Sequence, residues 1–457
     1  MRDNQPATPP DITAGDLWAN IWYVSWPMVV IMLLNFVVGV TDVYVAGFIG
    51  PDVQAAVGFV GQLYFLIIIV ANALSIGTVA MSARAFGARD EEGALHVSRQ
   101  SLVFSLIVAS GLTLVGYIFA DDIIAAAGFP AGIREIARDF LRIFALALGP
   151  NYLLIISNAI FRASGEVRRI LITMVLVSAL NVAAVFALVF GFPPLPPLGY
   201  RGIALATAFS ISAGMIFNLY QFTTGRWRSL YQGRLHISFQ TIRKIIALGW
   251  PAALLQITWN AASIVLYNIL GRLGDASITA LASLTNGLRL EAVIYLPAFA
   301  LNMASSVLVG QNLGAGKSDR AERLGWKVAT AGAMIVSILS LAMFIWAEEC
   351  AGLVAKSPAV IEETARYLRI NMLSEPFMAF SVVLGGCLQG AGDTRGTMWV
   401  VAIAMWLIRL PLAYVLALPL EYGATGVWIA MVASMSVQGV LMALRFRRGR
   451  WKGLALS

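Results

Sequence analysis

A chain of 457 residues that is 59% hydrophobic and only 12% charged falls outside the soluble globular class, where about a quarter of residues are charged. Its mean hydropathy of +0.79, and apolar stretches of about 20 residues recurring along its length, point to a multi-pass membrane protein. The net charge of +8 would suit nucleic acid as a partner, but the basic residues gather in one set of loops, so the lipid bilayer is the better reading. The two cysteines, Cys350 and Cys387, have neither metal-binding spacing nor a disulfide framework.

The chain opens on a polar, Pro-containing segment in which no cleavable signal peptide is evident. Twelve spans follow, at approximately 22–49, 55–82, 95–120, 136–161, 169–191, 201–222, 246–271, 277–310, 326–348, 361–387, 396–419 and 424–444. Loops after even-numbered spans carry basic clusters: Arg162, Arg168 and Arg169; then Arg226, Arg228, Arg234, Arg243 and Lys244; then Lys317, Arg320, Arg323 and Lys327. The tail adds Arg445, Arg447, Arg448, Arg450 and Lys452. Loops after odd-numbered spans carry few basic residues beside acids such as Asp121, Asp122, Glu348 and Glu349. Basic loops mark the cytoplasmic side, so both termini are expected inside.

The first span holds one acid, Asp42, in the run LLNFVVGVTDVYVAGFIG. A carboxylate at that depth costs about 3 kcal/mol on the lenient insertion scale, so it should face a protein interior or a water-filled cavity. With the N-terminus inside, Asp42 lies roughly 12 Å from the outer end of its helix. Asn35 stands two turns back on the same face. Burial favours the neutral acid, whereas water or a cation favours the ionised form. Such a group is suited to pick up a coupling proton or Na⁺ and to release it.

The longest polar interval, near 223–245, sits almost halfway along the chain, and an internal repeat flanks it. Trp26-Pro27 returns as Trp250-Pro251, 224 residues later. Gly87 returns as Gly314, Phe140-Leu-Arg-Ile as Tyr367-Leu-Arg-Ile, and Ala163-Ser-Gly-Glu as Gly390-Ala-Gly-Asp, each 227 later. The pair Gly199 and Gly202 returns as Gly423 and Gly426, 224 later. The chain therefore reads as two six-span bundles, 1–222 and 246–457, joined by a cytoplasmic linker at 223–245. Six is even, so the repeats are parallel, an arrangement expected to place a cavity between the lobes near the midplane. The residue 224 after Asp42 is Leu266, so the acid belongs to the first lobe only.

These motifs resemble the multidrug and toxic compound extrusion (MATE) transporters, especially their bacterial DinF-like members. The segments that carry the resemblance are LRLEAVIYLPAFALNMASSVLVGQNLGAG from Leu288, YLRI followed by LQGAGDTRG, and Arg409-Leu-Pro-Leu. The resemblance covers nearly the whole chain. It implies an all-α integral membrane fold with twelve transmembrane helices in two parallel six-helix repeats, V-shaped and two-lobed, in the bacterial inner membrane. It also implies export of amphipathic, often cationic, organic compounds in exchange for H⁺ or Na⁺, by a monomer with no cofactor. By the same resemblance Asp42 has cation-coupling partners at Asn181 and Thr207. Relatives often place a second acid four residues after that Asn, where this chain has Val185. Fewer oxygens near Asp42 favour H⁺ over Na⁺. Plain interhelical hydrogen bonding remains the bland reading of Asn181 and Thr207.

Soluble catalytic patterns are absent: there is no Walker A loop, HExxH or paired CxxC. His96 and His236 fall in expected cytoplasmic loops. In the second lobe, Arg289 and Glu291 sit inside the eighth span, on different helix faces. Glu291 is read either as a structural ion-pair partner of an arginine such as Arg409 or as a second coupling or substrate-binding acid. Gln256, Trp259 and Asn260 occupy the place on the seventh span where some relatives carry an acid. Together with Asn35, Arg289 and Glu291 they are the expected substrate-cavity residues. Asp393, in the Gly-Ala-Gly-Asp-Thr-Arg turn, reads as a helix cap. A lipid-linked precursor flippase of the same superfamily is the alternative transporter. A membrane enzyme would need paired acids or His at one interface, and a passive channel does not explain an acid in one lobe alone.

Overall fold

The structure, a computed structural model, describes residues 10–454 apart from 127, 129, 193–195 and 233–235. Arg234 of the expected linker lies outside the described residues. The first half contains α1 (Leu17–Ile49), α2 (Pro51–Gly87), α3 (Glu91–Ile118), the short α4 (Ala120–Ala126), α5 (Ala131–Ala163), α6 (Val167–Phe190), α7 (Tyr200–Gln221) and the single turn α8 (Ser229–Gln232). The second half contains α9 (Phe239–Gly271), α10 (Ser277–Gly314), α11 (Ser318–Ile345), α12 (Ala347–Val354), α13 (Pro358–Asn371), α14 (Glu375–Gly390), α15 (Thr394–Ala402), α16 (Leu410–Ala417) and α17 (Gly423–Arg447). Among the described residues, eleven segments are long and apolar enough to cross a membrane on their own, and α13 with α14, bent by 58°, makes a twelfth if the pair is one span. The fold is an all-α, multi-pass membrane fold.

Two expected spans are not regular helices. The tenth, read as continuous over 361–387, breaks at Met372–Ser374, and α14 restarts on Ser374-Glu375-Pro376. Proline at the second position of a helix lacks only a donor that would be an orphan there anyway, which makes this a local start signal. The eleventh, read as 396–419, is π-helical over Ile403–Arg409. Pro411 follows at once. It cannot donate to the carbonyl four residues back and its ring crowds that carbonyl, so the preceding turn widens. His96 also differs from its expected loop position: it lies on α3, with Nε2 3.2 Å from Thr241 Oγ1.

The chain forms two compact units that exchange a helix end. One comprises the described residues up to Ile12 and Trp26–Gly249; the other comprises Thr13–Ser25 and the described residues from Trp250 on. Two of the three boundaries, 25/26 and 249/250, fall at the Trp-Pro dipeptides inside α1 and α9. The units thus divide at 12/13, 25/26 and 249/250. In the first unit, Gly77 on α2 and Gly249 on α9 make the close approach: a Cβ on either would lie within 2.5 Å of a facing backbone oxygen, Ile245 O or Ala73 O. In the second unit, Lys317 Nζ donates to Thr13 O at 2.8 Å and Arg320 Nη2 donates to Ala14 O at 2.8 Å.

The repeat extends to cap chemistry. Phe222-Thr-Thr-Gly-Arg-Trp227 returns as Phe446-Arg-Arg-Gly-Arg-Trp451. Both glycines have positive φ, 62° at Gly225 and 69° at Gly449, which turns the chain back so that each Trp packs on its Phe. The ring centroids are 5.4 Å apart in the first unit and 4.7 Å in the second. Beside these caps, Glu166 accepts from Arg226 and Trp227, while Asp393 caps α15 through Gly396 N and pairs with Arg445 Nε at 2.7 Å. At the other end, Arg142–Asp121 at 2.8 Å repeats as Arg369–Glu348 at 2.9 Å.

Candidate functional site

In the first unit, α6 and α7 pack closely because Gly202 has no Cβ; one would lie 2.8 Å from the backbone at Leu188. That approach aligns Asn181 on α6 with Thr207 on α7. Asn181 Nδ2 donates to Thr207 Oγ1 at 3.1 Å, and Thr207 Oγ1 donates to Asp42 Oδ2 at 3.2 Å. A single hydroxyl thus relays between an amide and the carboxylate of α1. Asp42 Oδ1 and Asn181 Oδ1 are buried with no hydrogen-bond partner among the described residues. Two such buried acceptors can take a hydrogen bond or a cation. Val185, one turn beyond Asn181, is fully buried in an apolar cluster with Val45, Ala46, Val189 and Ile203. Asn35 is exposed on α1 and is not part of the cluster.

The second unit holds a different arrangement. Glu291 on α10, Glu375 at the start of α14 and Arg409 at the end of the π-helical turn line one cavity. They are 1%, 2% and 4% exposed, respectively. Glu291 Oε2 accepts from Tyr295 Oη, one turn along α10, at 2.9 Å. Arg409 makes no direct ion pair with Glu291, contrary to one expectation; its Nε donates to Ser434 Oγ at 2.8 Å and its guanidinium lies 5.9 Å from the Trp259 ring centroid. Both acids and Arg409 remain within electrostatic reach of one another. Glu291 Oε1 and Glu375 Oε2 are buried without a partner among the described residues. Tyr367 on α13 stands beside Glu291 and fits there because Gly287 leaves space: a Cβ on Gly287 would lie 2.2 Å from the Tyr367 ring.

This cavity has a volume of about 20 Å³. That suffices for a water or small cation, whereas a drug-sized ligand needs some 300 Å³ or more. Two carboxylates against one guanidinium leave one negative charge to be balanced by a proton or a cation. Of the expected cavity residues, Trp259 and Glu291 line this space. Gln256 and Asn260 are half-buried on α9 outside it, with Asn260 Nδ2 donating to Gln256 O at 2.8 Å. Arg289 is exposed on α10 and also lies outside the lining. Sequence reasoning missed Glu375, Tyr295 and Tyr367. Glu375 carried a usable signal, since Ser-Glu-Pro inside an apolar run is a helix start with an intramembrane acid.

The MatE family model matches the chain twice, over residues 27–189 and 251–415, so each match begins at the proline of a Trp-Pro dipeptide. The chain is 24% identical over 444 residues to the uncharacterized transporter YisQ of Bacillus subtilis, covering 96% of this chain and 97% of that one. It is 28% identical over 434 residues to a probable multidrug resistance protein NorM of Bradyrhizobium diazoefficiens, covering 92% and 91%. Its fold superposes with a TM-score of 0.88 on an outward-facing multidrug resistance MATE family transporter, at 23% identity and 96% coverage of both chains. A family model that recurs in both halves, on an all-helical membrane fold with buried intramembrane acids, leads to one conclusion: the chain belongs to the MatE family of membrane transporters and is not an enzyme.

Proposed function

We propose that the protein is a secondary antiporter that exports amphipathic organic compounds, cationic ones among them, in exchange for H⁺. The observation that carries the reading is the Asp42–Thr207–Asn181 chain, in which the second Asp42 carboxylate oxygen is buried with no hydrogen-bond partner among the described residues. Relatives named as multidrug resistance proteins support the efflux role. The apolar packing of Val185 supports H⁺ over Na⁺, because Na⁺ seeks several hard oxygens and a proton needs one lone pair. Proton uptake at Asp42 removes a charge from α1, changes its pairing with Thr207 and weakens the hold on a cationic substrate. The basic loops support an inner-membrane orientation with both termini cytoplasmic, and a monomer carries the whole cycle without a cofactor. The test is uptake into proteoliposomes driven by ΔpH alone or by a Na⁺ gradient alone, wild type against Asp42→Asn. Normal ΔpH-driven export by Asp42→Asn would sink the proposal.

The cavity of the second unit supports an additional coupling position. Its uncompensated carboxylate requires a proton or small cation, and it is built at a helix break, the arrangement by which discontinuous membrane helices present ion sites. Glu375→Gln that exports normally at every gradient would remove this second position and leave Asp42 as the sole carrier.

A further inference from the structure

Of the charged residues well inside the spans, Glu291, Glu375 and Arg409 are buried together, and Asp42 is tied to Thr207. Arg289 is different. It stands twelve residues into α10, about 18 Å along its axis, yet it is exposed and has no ion pair or hydrogen bond among the described residues. Glu291, two residues on, cannot serve it, because that side chain is turned into the cavity with Tyr295. A guanidinium is always charged, so it cannot escape the cost of lipid by losing its proton.

The surface around Arg289 is mixed: Val293, one turn on, is 47% exposed, while the turn before it is polar. Thr285, one turn before it on the same face, meets Tyr267 of α9 at 3.1 Å between hydroxyls. On α9, Gln256, Asn260, Ser263 and Tyr267 follow the 4-3-4 spacing of one helix stripe, and all are half-buried. Ser263 and Tyr267 of this stripe line the cavity, and Tyr267 links it to Thr285, one turn from Arg289. A polar wall on membrane helices borders water, and a free guanidinium in such a wall is a two-pronged donor set for a carboxylate or phosphate.

We infer that Arg289 recognises an anionic group on the exported compound, so that the transporter prefers zwitterionic or acidic amphiphiles over pure cations. This rests on the export reading above and narrows its substrate class.

The test uses a matched pair of dyes, rhodamine B and its ethyl ester, which differ by one free carboxylate. Their affinities for the purified full-length protein are measured by fluorescence polarisation, with no gradient. Wild type should bind the acid about tenfold more tightly than the ester, the scale of one charge-assisted pair. Arg289→Gln should erase that preference and Arg289→Lys should restore part of it. Equal affinities, or no binding, in the wild type would overturn the inference without recourse to any variant. So would a preference that survives Arg289→Gln. Equal affinities accompanied by a melting temperature that rises with phosphatidylglycerol in wild type but not in Arg289→Gln would assign Arg289 to a lipid headgroup instead. The coupling reading is judged separately: Asp42→Asn reports on the gradient, and the dye ratio does not depend on it.

Discussion

The two units are built on one plan, yet they place polar chemistry on complementary helices. In the first unit the polar positions are Asp42 on α1, Asn181 on α6 and Thr207 on α7. The residues 224 after Asp42 and Thr207 are Leu266 and Met431, and both line the cavity of the second unit. There the acids are Glu291 and Glu375. The residues 227 before them are Tyr64 and Leu148, and those before Tyr367 and Asn371 are Phe140 and Phe144. Phe140 and Phe144 belong to the apolar core of the first unit. The same interior site is therefore kept in both units, with the acid entering from α1 in one and from α10 and α14 in the other.

Arg409 shows how the backbone makes this substitution. The contact of Gly202 with Leu188 is repeated by Gly426 with Leu416, where the offset has become 228. The extra residue is absorbed by the π-helical turn at Ile403–Arg409. At that offset Arg409 is the counterpart of Asn181. A neutral amide beside one acid in the first unit is replaced by a guanidinium beside two acids in the second. In each interior the acids outnumber the cations by one.

The largest expected effect is a test of the first unit. Asp42→Asn should reduce ΔpH-driven export to the background of empty vesicles, measured on protein with an unchanged elution profile. Next comes the charge balance of the second unit. Arg409→Met should destabilise the protein by about 3–5 kcal/mol, because it leaves two buried acids without a counter-charge. Adding Glu375→Gln to Arg409→Met should recover part of that loss in a thermal melt, whereas further loss would mean that the acids do not depend on Arg409. The caps provide a comparison in which the units should behave alike. Trp227→Ala and Trp451→Ala each remove a fully buried indole and should each cost about 3–5 kcal/mol, read from the melting temperature. Unequal costs would show that only one cap is structural. The smallest effect belongs to Thr207→Val, which removes the hydroxyl between Asn181 and Asp42 and should cost about 1 kcal/mol in stability. Its larger effect should be on the pH dependence of export; a pH profile identical to wild type would detach Thr207 from coupling.

Much of this was readable from sequence alone. Apolar stretches of spanning length reported the helices, basic loops their expected orientation, and five ordered matches at offsets of 224 to 227 the duplicated plan. The isolation of Asp42 in an apolar run, with Leu266 at its repeat position, marked the first unit's site because an acid in lipid is costly wherever it occurs. These features are local or periodic, and hydropathy and spacing record them directly. Tertiary structure alone decided the rest. It broke the tenth span at Glu375 and widened the eleventh before Pro411, so that residues far apart in sequence converged on one cavity. It also turned Glu291 inward and left Arg289 outside, a choice made by which face of α10 is packed. The sequence determined which charges the membrane had to accommodate; packing determined which of them share an interior and which stays outside it.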